Sequence, residues 1–182
     1  MLLVVAATER ELGLVHGAET LCCGIGPVEA ALQTASVLVE RRPDAVLHIG
    51  IAGARTLQPP ALVLGSESVY CDVIDAVSTL PRIERIDPDA SLLARARAAL
   101  PDARVLPIAT CGKVGAGTGC EVEAMEGFGV LRAAALAGVP ALELRAISNL
   151  VGEPDRAKWR FDDAFAALEG AVGRLLDRLD VG

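Results

Sequence analysis

The residues between 121 and 152 carry the side chains of this sequence best suited to chemistry. Glu123 and Glu126 stand three apart, a spacing that puts both on one face of a helix. Met125 and Phe128 mark that turn as partly buried, and a carboxylate among such neighbours needs a hydrogen-bonding partner. A ribose diol suits it, because two vicinal hydroxyls can donate to the two oxygens of one carboxylate. The same pair also fits a purely structural role, since acids early in a helix complement its dipole. Further on, an apolar run stops on the polar step Ser148-Asn149. The carboxyl end of a strand is where open α/β sheets build ligand sites. The Asn149 amide donates and accepts, which suits reading a heterocyclic edge; a turn or helix cap uses the same group. Glu11 follows the first apolar run closely, as a functional acid or as an ordinary carboxylate in a helix's first turn.

Other motifs are weaker. Gly24-x-Gly26 mimics the start of a dinucleotide fingerprint, but Glu29 stands where the third glycine belongs, so a tight turn with backbone amides near a ligand is the better reading. Gly112, Gly115, Gly117 and Gly119 lack phosphate-loop order, because Lys113 follows the first glycine rather than the last. They suggest a loop over a pocket. The five cysteines, Cys22, Cys23, Cys71, Cys111 and Cys120, form no C-x-x-C and read as reduced thiols. The two histidines are His16 and His48, and His48 lies in an apolar strand, so neither a histidine triad nor a metal site is expected.

The elements that must position these groups alternate. Strands are expected over Leu2–Ala7, Thr20–Cys23, Ala45–Ile49, Leu62–Cys71 (bent near Gly65), Arg104–Ala109 and Ala141–Ile147. Helices are expected from Pro27 to about Glu40, over Ala90–Leu100, over Glu123–Ala137, and from Phe161 or Asp162 to Leu179. The last carries Phe165, Leu168, Val172, Leu175, Leu176 and Leu179 on one stripe. The stretch Asp75 to Asp89 reads as loop. The pattern predicts an α/β fold, a three-layer αβα sandwich with a central mixed sheet, in one domain spanning residues 1–182.

Composition agrees. The chain has 182 residues, 52% of them hydrophobic and only 3% aromatic, which is enough for a core and argues against disorder. A net charge of −7 with no basic stripe disfavours nucleic acid. The N-terminus lacks a basic region before its apolar run and reads as a strand, not a signal peptide, so a cytoplasmic protein is expected. No apolar run reaches the roughly 18–20 residues of a membrane span.

Several segments together resemble the purine nucleoside phosphorylase/nucleosidase superfamily over essentially the whole chain. Ala-Thr-Glu-Arg-Glu11 is similar to the opening strand and catalytic glutamate of the nucleosidases, and Gly24-Ile-Gly-Pro-Val-Glu-Ala-Ala31 to their first turn and helix. Gly50-Ile51-Ala52-Gly53 resembles their G-S-A-G, with Ile51 in place of serine. Met125-Glu126 resembles the pair that holds ribose, and Arg145-Ala-Ile-Ser148 the strand before the purine-reading residue. Where methylthioadenosine/adenosylhomocysteine nucleosidases carry Asp, this chain has Asn149. Enzymes of the superfamily that cleave 6-oxopurine nucleosides use Asn there. Met125-Glu126-Gly127, Ile147-Ser148-Asn149, Val151-Gly152, Asp155-Arg156 and Trp159 further resemble the branch that hydrolyses futalosine in an alternative menaquinone pathway.

That resemblance implies hydrolysis of an N-glycosidic bond with release of hypoxanthine, using water and neither cofactor nor metal. It implies Glu11, Asn149 and Glu126 as catalytic residues. It assigns Ile51, Ala52, Val114, Met125, Glu126, Ser148, Arg156 and Trp159 to substrate, with Arg156 and Trp159 toward an aryl carboxylate. A homo-oligomer, dimer or higher, is expected. A methylthioadenosine/adenosylhomocysteine or aminofutalosine nucleosidase, a purine nucleoside phosphorylase with Arg55 as its one phosphate candidate, and a non-catalytic nucleoside-binding protein are the alternatives.

Overall fold

A computed structural model describes residues 1–73 and 81–179. Among these described residues eight strands run β1 Leu2–Ala6, β2 Glu19–Cys22, β3 Ala45–Ala54, β4 Leu62–Tyr70, β5 Arg85–Ile86, β6 Arg104–Thr110, β7 Val122–Ala124 and β8 Ala141–Leu150. The helices are α1 Glu9–Leu12, α2 Pro27–Arg41, α3 Ala90–Ala99, α4 Gly127–Ala137 and α5 Phe161–Leu179, with a 3-10 turn at Arg156–Lys158.

Alternation along the strands builds the layers. Leu2 and Val4 of β1 join Leu47, Leu142 and Leu144 beneath α3 and α5, where the stripe Leu168, Val172, Leu175 and Leu179 is fully buried. Leu3 and Val5 point the other way, into a second core with Val46, Ala30 and Leu38 of α2 and Val130 and Ala134 of α4. Helices therefore cover both faces of a mixed sheet.

The sheet is not simply open. β3 pairs with β7, β7 with β6, β6 with β4, β4 with β8, and β8 returns to β3. These five strands close a small barrel, and Ala52, Ala54, Val63, Ile108, Val122 and Ile147 form a third cluster among them. Bulges between Ala52 and Gly53 and between Gly65 and Glu67 supply the bend that closure requires.

Three expectations change. The strand read as Ala45–Ile49 continues to Ala54, because its glycines accept β geometry while β8 pairs along its length. The loop read over Asp75 to Asp89 contains β5, paired antiparallel with β4; residues 75–80 of it lie outside the described residues. The helix read from Glu123 begins instead at Gly127, and Glu123 belongs to strand β7. Glu121-Val122-Glu123-Ala124 alternates with the period of a strand, and Val122 and Ala124 bury themselves in the barrel cluster. Glu123 and Glu126 are thus not partners on a helical face.

Candidate active site

Glu11 sits in the third position of the one-turn helix α1, capped by Thr8. The turn is a capping box: Glu11 N–H donates to Thr8 Oγ1 at 3.4 Å, and Thr8 N–H returns a bond to Glu11 Oε2 at 3.0 Å. Thr8 Oγ1 also donates to Oε2 at 2.7 Å, and Ile51 N–H donates to Oε1 at 3.1 Å. Both oxygens are thereby oriented, and the side chain is buried while still lining a cavity of about 610 Å³. The structural and functional readings of Glu11 are served by the same turn.

Glu126 stands at the N-cap of α4. Its Oε1 accepts from Gly26 N–H at 3.1 Å, so the turn at Gly24-x-Gly26 delivers an amide to a carboxylate rather than to a pyrophosphate. Its Oε2 lies 3.6 Å from Arg145 Nη2. Burial pushes the Glu126 carboxyl above its usual range, while Arg145 and the Gly26 amide pull the other way.

Arg145, on β8, is the hub of this region and is 1% exposed. Its Nε donates to Glu143 Oε1 at 2.8 Å. Its Nη2 bonds His48 Nε2. Since His48 Nδ1 lies 3.0 Å from the Val5 carbonyl, which can only accept, the proton belongs on Nδ1 and Nε2 receives the guanidinium. Burial and the neighbouring Arg145 hold His48 well below its usual range, so the ring is neutral. Gly50 makes this packing possible: a Cβ there would lie 2.2 Å from Arg145 Nη1 and 2.9 Å from Glu11 Oε1. Glu11, Glu126 and Glu143 surround a single guanidinium, which leaves a surplus of carboxylate beneath the cavity and favours a cation above it.

The other end of the cavity is built on β8 after its bulge. Ser148 Oγ donates to Asn149 Oδ1 at 2.8 Å and approaches the Ala52 carbonyl at 3.3 Å. Asn149 Nδ2 spends one hydrogen on the Leu150 carbonyl at 3.1 Å. A second N–H is left to offer to a ligand. Cys111 also faces this cavity, but burial, with Glu123 adding to it, pushes its thiol up to about 12, so it is no nucleophile at neutral pH.

The mouth is lined by the segment after β8. Arg160 N–H bonds the Ser148 carbonyl at 2.8 Å and anchors this segment to the site. Trp159 Nε1 donates to the Glu153 carbonyl at 3.1 Å, and the Arg156 guanidinium lies 5.4 Å from the Trp159 ring centre.

The structure brings the ten residues assigned to catalysis or substrate to this one cavity. Glu11, Glu126 and Asn149 line it together with Ile51, Ala52 and Met125, and so do Val114 of the glycine-rich loop, Ser148, Arg156 and Trp159. Arg55, the phosphate candidate, is instead turned to the Thr118 carbonyl at 3.1 Å. Sequence reading missed Arg145, Glu143 and His48 as a network. A charged Glu-x-Arg pair inside an otherwise apolar strand was the available signal, because such charges are rarely buried unless paired.

This site and fold define a class. The phosphorylase superfamily model matches residues 8–179, and the chain belongs to that superfamily. A futalosine hydrolase of Streptomyces coelicolor is 38% identical over 92% of this chain and 82% of its own. A futalosine hydrolase mutant of Helicobacter pylori superposes with a TM-score of 0.84 at 18% identity, covering 97% of this chain and 98% of its own. The methylthioadenosine/adenosylhomocysteine nucleosidase of Streptococcus pneumoniae, solved with 8-aminoadenine, gives the same TM-score at 20% identity, over 97% and 99%. Within its superfamily this chain is an N-glycosyl hydrolase, a nucleosidase.

Proposed function

We propose that the chain hydrolyses the N-glycosidic bond of futalosine, releasing hypoxanthine and dehypoxanthine futalosine, as a step of the alternative menaquinone pathway. The observation that carries the reading is Asn149 at the base end of a cavity whose other end holds Glu11 and Glu126. The likeness to the Streptomyces enzyme supports it.

Cleavage develops positive charge on the ribose and negative charge on the purine. Glu126 accepts from the 2′ and 3′ hydroxyls and, with the carboxylate surplus around Arg145, stabilises the cationic sugar. Glu11, fixed by Thr8 and Ile51, orients water and takes its proton. The free N–H of Asn149 donates to N7 or O6 of the departing base, most strongly as charge arrives there. An amide cannot deliver the proton that a protonated carboxyl would, which favours a 6-oxopurine over adenine as the leaving group. Ile51, Ala52, Val114 and Met125 hold the nucleoside, and Arg156 with Trp159 meets the aryl carboxylate. Replacing Arg156 with Ala should raise KM several-fold at constant kcat; an unchanged KM removes Arg156 from this role.

The protein acts in the cytoplasm in this reading, without cofactor, as a homo-oligomer. Val28, Leu32 and Val39 lie exposed along α2, and Leu136 on α4, which supports a covered face in the assembly.

One assay tests the reaction. Futalosine, aminofutalosine, inosine and methylthioadenosine are incubated with the protein, with and without phosphate. Hypoxanthine released from futalosine alone, independent of phosphate, is the expected result. Adenine release points to the methylthioadenosine or aminofutalosine alternative, phosphate dependence to a phosphorylase, and no turnover to a binding protein.

A further inference from the structure

Glu143 is fully buried on β8, behind the cavity rather than in its lining. Its Oε1 accepts from Arg145 Nε at 2.8 Å, while its Oε2 has no hydrogen-bond partner. A buried carboxylate with an orphan oxygen is costly, and an apolar side chain would pack there more favourably. Gly127, the residue after Glu126, leaves the room for it. A Cβ on Gly127 would lie 2.3 Å from both Glu143 oxygens, so any larger residue would displace the carboxylate. Gly127 also opens α4, and the carboxylate therefore lies against the positive end of an 11-residue helix. The sequence sets side by side the carboxylate that faces the sugar and the glycine that admits a second carboxylate behind it.

The arrangement of Arg145 shows what the second carboxylate does. Nε is held by Glu143, Nη1 faces the Ile51 carbonyl at 3.5 Å, and Nη2 bonds His48 Nε2. Nη2 is left 3.6 Å from Glu126 Oε2, an ion pair without a hydrogen bond. Among the described residues Glu126 accepts one hydrogen bond, from Gly26 to Oε1, so Oε2 keeps its lone pairs. Those lone pairs are what ribose hydroxyls need. A guanidinium without Glu143 would close on Glu126 and occupy them, because charge-assisted bonds are the strong ones.

We infer that Glu143 is a positioning residue for the reaction: it competes with Glu126 for Arg145, holds the guanidinium off Glu126 Oε2, and leaves that oxygen open to the sugar. This rests on the nucleosidase reading but not on which base departs. Four titratable groups face Glu126: Arg145 and Glu143 from β8, Glu11 from α1, and Cys23 after β2. Burial pushes the Cys23 thiol up to about 12, so it stays neutral. Burial raises the Glu126 carboxyl most, Arg145 lowers it, and Glu11 and Glu143 raise it again.

Glu143→Gln keeps an oxygen for Arg145 Nε and removes the charge. Kinetics are read on whichever nucleoside the wild type cleaves, so failure of the futalosine reading leaves this test intact. We expect kcat/KM to fall about 10- to 100-fold. The acid limb of its pH profile should move to lower pH, since loss of a neighbouring negative charge favours ionised Glu126. Glu143→Asp, which keeps the charge, should retain the wild-type limb. A role in packing alone lowers activity with the limb unmoved, and that result overturns the inference, as does unchanged activity in Glu143→Gln. Crystals of Glu143→Gln should show Arg145 Nη2 in hydrogen-bond contact with Glu126 Oε2. Should the variants not fold, ligand-free crystals of the wild type decide: Arg145 bonded directly to Glu126 Oε2 overturns the inference, and an Oε2 open to the cavity supports it.

Discussion

The two ends of the cavity satisfy their polar groups in opposite ways. At the sugar end each Glu11 oxygen already holds a protein donor, Glu126 is met by Gly26 and Arg145, and Arg145 is in turn braced by Glu143 and His48. At the base end, Asn149 keeps one N–H in reserve and Glu123 keeps one oxygen. The sugar end is a preorganised field, made before substrate arrives, which is what charge stabilisation requires. The unspent N–H of Asn149 at the base end is what discrimination requires, since a wrong base leaves it buried and unpaired.

The contrast can be broken by substitution. Glu11→Gln should lower kcat by about 10²- to 10⁴-fold while leaving KM near its wild-type value. A loss confined to KM would move Glu11 from the chemistry to binding. Arg145→Met should destabilise the fold by about 3–5 kcal/mol in denaturant unfolding, because it strands Glu143 and Glu126 as buried charges without a counter-ion. Near-wild-type stability would mean that the sugar end is not braced as described. Asn149→Ala should cost about 100-fold in kcat with almost no change in Tm, the signature of a group that spends itself on the ligand. A comparable loss of stability would erase the difference between the two ends.

The smallest expected effect concerns pH. The folded chain holds the His48 pKa below its unfolded value of about 6.5. As pH falls through that value the unfolded chain takes up the proton first, so the stability present above pH 6.5 is lost on going lower. Unfolding free energy should decline by about 1.4 kcal/mol per pH unit while the folded ring stays neutral. His48→Gln should flatten that part of the profile; an unaltered slope would assign the acid sensitivity to other groups.

Much of this was legible along the chain. Continuous apolar runs announced the strands of a buried sheet, and the stripe from Leu168 to Leu179 announced the terminal helix, because burial on a regular element writes its period into the sequence. The motif residues converge on one cavity as read. The helix drawn through Glu123 was the failure: a good helical spacing outweighed a four-residue alternation whose strand partners, Gly53 and Ala109, lie far away in sequence. Short strands are decided by such partners rather than by their own residues.

By itself, then, the sequence determined the layer architecture, the carboxylates Glu11 and Glu126, and the amide at 149, since these depend on residue type and local period. Tertiary structure alone decided the closed barrel, the tautomer of His48, the burial of Arg145 over Gly50, and the orphan oxygen of Glu123. Each of those depends on which atoms from distant segments share a space closed to water. No local pattern encodes that.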